Sequence, residues 1–218
     1  MWVKAESNTH EKVLLSRAEK YISYVTWIPG LRMVAVVNSL SMYATHRDSD
    51  IDLFIITAKD SMWIVRVLIT LSFASLWVWR KWEDRAGNFC LSFFIEESAM
   101  DLSKIAIEDD IYLSFWIHYM KPIYVVGDVY ERFIEQNDES RMNHDESTKS
   151  NHKKYTYSKS ISLSPIFSIL NSIFRYFWEK KARTSYEKKW RPEWVTVTSD
   201  MLKFHDMDRR REIRDILL

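Results

Sequence analysis

Hydrophobic and polar positions along the chain alternate between short apolar runs and amphipathic stretches. Val13, Leu14, Ala18, Tyr21, Ile22 and Val25 recur at helical spacing and predict an opening helix over Glu11–Trp27. Pro29-Gly30 then marks a turn. Leu31–Val37 and Ile51–Thr57 are continuous apolar runs bounded by polar residues, the pattern of buried strands. Met62–Trp79 is mostly apolar but interrupted by Arg66, Thr70, Ser72 and Ser75. It predicts a buried helix packed on a sheet, ended by Arg80-Lys81, where cations meet the negative end of the helix dipole. Phe89–Ile95 and Pro122–Val126 predict two more strands, and Glu108-Asp109-Asp110 opens a helix running to about Met120.

The order strand, helix, strand, helix, strand argues for the α/β class (α+β). A change of texture follows. Between Glu135 and Lys154 only Met142 is hydrophobic, too little apolar surface to offset the entropy of ordering. The expected organisation is a domain over residues 1–134, a flexible polar linker over 135–160 and a helical C-terminal region with a short strand over 161–218. In that last region Pro165–Lys189 is amphipathic, with Phe167, Leu170, Ile173, Phe174, Phe177 and Trp178 on one stripe. Trp194–Thr198 reads as the strand, and Asp200–Leu218 as a charged helical tail.

Composition narrows the chemistry. Only three of 218 residues are glycine, where average usage would give about fifteen. No two lie close enough for a dinucleotide fingerprint or a P-loop. With 31 Lys+Arg against 30 Asp+Glu, a formal charge of +1, no global field draws nucleic acid or an anionic membrane. Cys90 is the single cysteine, which excludes an internal disulfide framework and a cysteine-based zinc knuckle; within an apolar run it reads as an inert core residue. The polar N-terminal twenty residues lack the apolar stretch of a signal peptide, and a cytoplasmic protein is expected. A membrane span needs about 20 apolar residues, so Met62–Trp79, with Arg66 inside it, is read as no span.

The sharpest chemical feature is Asn38-Ser39, a polar loop, and then Asp50-Ile51-Asp52 at the start of a strand. Strand residues two apart share a face, so Asp50 and Asp52 project together. Two adjacent carboxylates repel, and a divalent cation between them relieves the repulsion; Mg²⁺ prefers one or two carboxylates plus phosphate oxygens.

The stretch Met33–Thr57, MVAVVNSLSMYATHRDSDIDLFIIT, resembles the signature of the polymerase beta-like nucleotidyltransferase superfamily, and more closely an uncharacterised bacterial subgroup with Asn-Ser in place of Gly-Ser. The resemblance implies a mixed sheet flanked by helices and Mg²⁺-dependent (or Mn²⁺-dependent) transfer of a nucleoside monophosphate from a nucleoside triphosphate. It implies Asp50 and Asp52 as catalytic metal ligands and Ser39, beside Asn38, as a triphosphate contact. His46 and Arg47, in the loop before Asp50, are candidate phosphate or base contacts. The acceptor, whether protein, RNA or small molecule, is not legible, and neither is the oligomeric state.

Two positions depart from the family pattern. Asn38 replaces the motif glycine, and Ser92 is the sole polar interior residue on the strand where the family places a third carboxylate. Glu96 shares the face of Ser92 by alternation and is a substitute metal ligand at the strand end. These departures keep a second reading open, a catalytically degenerate fold that binds nucleotide or a partner. A third reading is membrane association through Met62–Trp79 and the Phe167–Trp178 stripe. Lys203 and His205 either lie on a solvated helix or return to the cleft as cation or acid/base group. Arg66, within an apolar helix, calls for a structural partner, with a carboxylate expected.

Overall fold

A computed structural model describes residues 4, 6–79, 86–137, 165–189, 195–204 and 210–217. Most of the expected linker, residues 138–160, lies outside them, as do Arg80, Lys81 and His205.

Six strands form one mixed sheet: β1 (Leu31–Val36), β2 (Ile51–Thr57), β3 (Phe89–Glu96), β4 (Lys121–Val125), β5 (Val195–Val197) and β6 (Met201–Phe204). Their spatial order is β4-β1-β2-β3-β6-β5, and only the β2–β3 pair is parallel. Seven α-helices are described: α1 (Thr9–Ser23), α2 (Asn38–Ser41), α3 (Met62–Ser75), α4 (Ile111–Tyr119), α5 (Val129–Gln136), α6 (Pro165–Lys189) and α7 (Arg210–Leu217). The class is α+β, a mixed sheet flanked by helices.

The sheet is buried on both faces, which explains why its central strands read as unbroken apolar runs. One face carries Val34, Val36, Leu53, Ile55 and Phe94 against Leu14 and Ile22 of α1 and Trp63 and Phe73 of α3, with Phe167 and Phe174 of α6 outside. The other carries Ala35, Phe54, Ile56 and Phe93 against Trp116 of α4 and Tyr130 and Phe133 of α5. Helix α3 buries Met62–Val65, Ile69 and Phe73 between the sheet and α6, while Leu71 stays 62% exposed. Among the described residues no helix is long and apolar enough to cross a membrane.

Several boundaries move for local reasons. α1 begins at Thr9 because Asn8 and Glu11 form a reciprocal capping box, and it ends at Ser23 where the chain turns. α3 stops at Ser75, so Trp79 lies beyond it and bridges to Phe89. α5, absent from the sequence reading, continues through Gln136. Buried Asn137 then ties its end down, donating to the carbonyls of Met100 and Phe133 and accepting from the Leu102 N–H.

The expected helical tail from Asp200 is corrected. Met201–Phe204 is a strand, paired antiparallel with the outer edge of β3 at Phe93↔Lys203 and Ile95↔Met201. The open edge of β3 offers backbone partners to a short, largely apolar segment, and this overrides the charged sequence around it. Among the described residues of that tail, α7 is the helical part. Its Arg210 guanidinium donates to the Ile105 carbonyl at 2.7 Å and the Asp110 carboxylate at 2.8 Å, fastening it beside α4.

Candidate metal and nucleotide site

The site is built at one end of β2. The Ile51 N–H donates to the Asn88 carbonyl and the Gly87 N–H to the Ser49 carbonyl, both at 2.9 Å, so the chain entering β3 is held against the chain entering β2. Gly87 supplies the turn with φ +67, a conformation that side chains resist. Its carbonyl accepts from Arg17 Nε of α1 at 2.9 Å.

This arrangement places Cys90 opposite Asp52 in the β2–β3 register. Asp50, Asp52 and Cys90 are all half-buried, and one ligand atom from each lies within 4.8 Å of the others. The two acids therefore converge as the alternation predicts. Cys90 was expected in the core; the structure sets it beside the acids instead. Its pairing with Asp52 is a consequence of strand register, for which nothing local to Cys90 gives a signal.

The donor set suits a divalent cation chemically, with two carboxylates as hard oxygen ligands and a thiol that binds metal as thiolate. Ser92 lies farther along β3, past an irregularity in the pairing between Asp52 and Phe54.

The Asn38-Ser39 turn adjoins this cluster, because the Val37 N–H donates to the Asp52 carbonyl at 3.1 Å. Asn38 has φ +58, the left-handed conformation that glycine adopts freely and asparagine better than most residues. Its side-chain oxygen accepts from the Trp116 indole N–H at 2.9 Å and lies 3.4 Å from the Tyr112 hydroxyl. α4 thereby secures the substituent that a glycine would lack. Ser39 follows, its carbonyl accepting from the Ala44 N–H at 2.8 Å.

His46 and Arg47 are exposed at the tip of the following loop. The Ser49 hydroxyl accepts from the His46 N–H at 2.8 Å, and the Ser49 N–H returns a bond to the His46 carbonyl. Glu11 braces the loop from α1, accepting from the Thr45 N–H and hydroxyl at 3.3 and 3.1 Å. Burial acts to raise the Glu11 pKa. The hydrogen bonds from Asn8 and Thr45, with the charge of Lys4, outweigh it and leave this carboxyl below its ordinary value of 4.5.

Glu96 is not brought to Asp50 and Asp52. It pairs with Thr57, five residues beyond Asp52, about 17 Å along the strand at about 3.3 Å per residue. Its carboxylate accepts from the backbone N–H groups of Asp60, Ser61 and Met62 at 2.9, 3.0 and 3.1 Å, occupying the N-terminal end of α3. The next two N–H groups, of Trp63 and Ile64, donate to Asn171 of α6 at 3.1 Å each. Two remote side chains thus satisfy donors that every helix start leaves over. Burial raises the Glu96 pKa and outweighs the three N–H bonds that lower it, with the Asp60 charge adding to the rise.

Three further cations, Arg66, Lys203 and Lys121, are wholly or partly buried. Arg66 donates to the Leu91 carbonyl at 2.8 Å and lies over the rings of Phe94 and Phe204. Lys203 is buried on β6 beside Phe93, two strands from β2. Lys121, which the sequence reading passed over, starts β4 opposite Val36 at the end of β1. Its ammonium lies 4.3 Å from the centre of the Tyr43 ring, and burial pulls its pKa below the ordinary 10.5.

No family model matches the chain, and no curated protein matches it. A solved structure described as the crystal structure of the toxin-antitoxin with AMP-PNP is similar at a TM-score of 0.36 and 18% identity, over 57% of this chain and 87% of that one.

Proposed function

We propose that the protein is a cytoplasmic nucleotidyltransferase that moves a nucleoside monophosphate from a nucleoside triphosphate to an acceptor, with Asp50 and Asp52 holding Mg²⁺ or Mn²⁺. The observation that carries this reading is the convergence of Asp50, Asp52 and Cys90 within 4.8 Å, beside the Asn38-Ser39 turn. A bound divalent ion supplies charge neutralisation at phosphate oxygens. The chain's own contribution is positioning: two carboxylates fixed by β2, and the Asn38-Ser39 turn held against Asp52 at the triphosphate. His46 and Arg47, on the exposed loop before Asp50, are the proposed phosphate or base contacts. In the reaction an acceptor oxygen bonds to the α-phosphorus, the bond to the bridging oxygen breaks, pyrophosphate leaves and the acceptor proton is lost to solvent. The acceptor is a protein, an RNA or a small molecule.

A second reading is favoured by the ligand set: among the described residues the third group beside Asp50 and Asp52 is the Cys90 thiol and not a carboxylate, which leaves a two-metal site incomplete. On it, the fold binds nucleotide without turnover. Incubation with labelled nucleoside triphosphates and Mg²⁺ or Mn²⁺ separates the two. Pyrophosphate release that disappears in Asp50→Ala/Asp52→Ala supports transfer. Saturable nucleotide binding that disappears in the same variant, without release over a broad acceptor screen, supports binding alone.

A further inference from the structure

Resting on the metal-binding reading of Asp50 and Asp52, we infer that Cys90 is the residue that sets metal preference, strengthening the site's hold on thiophilic divalent ions relative to Mg²⁺. Cys90 has the position of a ligand. It pairs directly with Asp52 in the parallel β2–β3 ladder, where paired residues present their side chains on the same face. Its sulfur lies within the 4.8 Å set that includes a carboxylate oxygen from each acid.

Packing does not account for the residue. Its neighbours Phe89 and Leu91 are 0% and 6% exposed and belong to the core on the opposite face, whereas Cys90 is half-buried next to two acids. A cysteine that serves only the core sits among apolar groups, as free cysteines generally do.

The chemistry of the set follows from its three donors. Mg²⁺ is small and hard, binds oxygen and gains little from sulfur. Co²⁺, Zn²⁺ and Cd²⁺ gain a strong bond to thiolate while still accepting carboxylates. When sulfur binds, the thiol proton passes to solvent and the thiolate adds a third negative ligand. A carboxylate in the same place would add charge without softness and would leave Mg²⁺ favoured. Cysteine at that place therefore raises the affinity for thiophilic ions relative to Mg²⁺.

Because Cys90 is the chain's single cysteine, thiolate-specific signals report this site alone. The test uses the full chain, stripped of metal and fully reduced, titrated separately with Co²⁺ and Mg²⁺. The expected result is a near-ultraviolet sulfur-to-cobalt charge-transfer band that saturates with Co²⁺, together with protection of the thiol from a disulfide reagent. Cys90→Ser loses the band and binds Co²⁺ at least about tenfold more weakly, while its Mg²⁺ affinity stays within about twofold. Cys90→Asp loses the band and binds Mg²⁺ more tightly than the parent. If the parent chain binds Co²⁺ without the band and with the affinity of Cys90→Ser, the role of Cys90 is overturned while the metal reading stands. If it binds none of Mg²⁺, Mn²⁺ and Co²⁺, both fall.

Discussion

The indole N–H of Trp116 donates to the side-chain oxygen of Asn38 at 2.9 Å, tying α4 to the turn beside Asp52. Asn38 has φ +58, so a replacement must meet two demands: it must tolerate a left-handed backbone and keep an acceptor for a buried donor. Asn38→Ala fails both and should destabilise by about 1–3 kcal/mol, the usual cost of an unsatisfied buried group. Asn38→Gly keeps the backbone conformation and should cost less than alanine. Trp116→Phe retains the ring contacts with Phe54 and Phe93. In a denaturation double-mutant cycle, Asn38→Ala and Trp116→Phe should couple by about 0.5–1.5 kcal/mol. Additive costs would show that the hydrogen bond does not hold the turn.

The pH response of Glu96 has a definite sign. Burial raises its folded pKa above the ordinary 4.5, so between those two values the folded chain binds more protons than the unfolded one. Its contribution is fully present below 4.5 and is lost as pH rises through the folded value. Carboxylates remote from Glu96 titrate equally in the parent and in Glu96→Gln and cancel in the difference, whereas Asp60 is coupled to it. The unfolding free energy of the parent minus that of the variant should be greatest in acid, shrink through this window and then level off. A difference that grows with pH would mean that the three N–H bonds outweigh burial.

How much of this was legible follows from which facts are local. β1, β2 and β3 could be read because Leu31–Val37, Ile51–Thr57 and Phe89–Ile95 are continuous apolar runs, and a sheet covered on both faces demands such runs. Asp50 and Asp52 could be paired because alternation is a property of one strand. Cys90 and Glu96 could not be placed the same way. Alternation along β3 leaves open which residue of β2 each one meets; the register with β2 sets Cys90 against Asp52 and Glu96 against Thr57. β6 was hidden for a similar reason. Four residues with Lys203 among them carry too little pattern, and the exposed edge of β3 makes them a strand.

Asn171 joins α6 to the start of α3 and is 3% exposed, accepting from both Trp63 and Ile64. Asn171→Leu would leave two buried N–H groups without an acceptor, a cost of about 1–3 kcal/mol for each group that finds no water. Hydrogen exchange locates the effect: the Trp63 and Ile64 amides should lose protection, while those of β1 and β2 keep theirs. Uniform loss over the sheet would show that α6 is part of the same cooperative unit rather than an element docked on it.

Metal should stabilise this protein through Asp52 and not otherwise. Without an ion, Asp50 and Asp52 hold two carboxylates within the same 4.8 Å cluster, an arrangement that repels. Asp52→Asn removes one of the two charged ligands, and each protein's melting temperature in a chelator is the baseline for its own metal shift. With Mn²⁺ at about 100 times its dissociation constant, the parent should gain about 2.7 kcal/mol, a rise in melting temperature of roughly 5–10 °C for a chain of this size. The variant has lost a charged ligand and should keep only a small part of that rise. Raising the ionic strength at fixed Mn²⁺ should leave most of the parent's gain in place, because a directly ligated ion is screened far less than a diffuse counterion. Equal shifts in parent and variant would place the metal elsewhere on the chain and remove the foundation of the proposed activity.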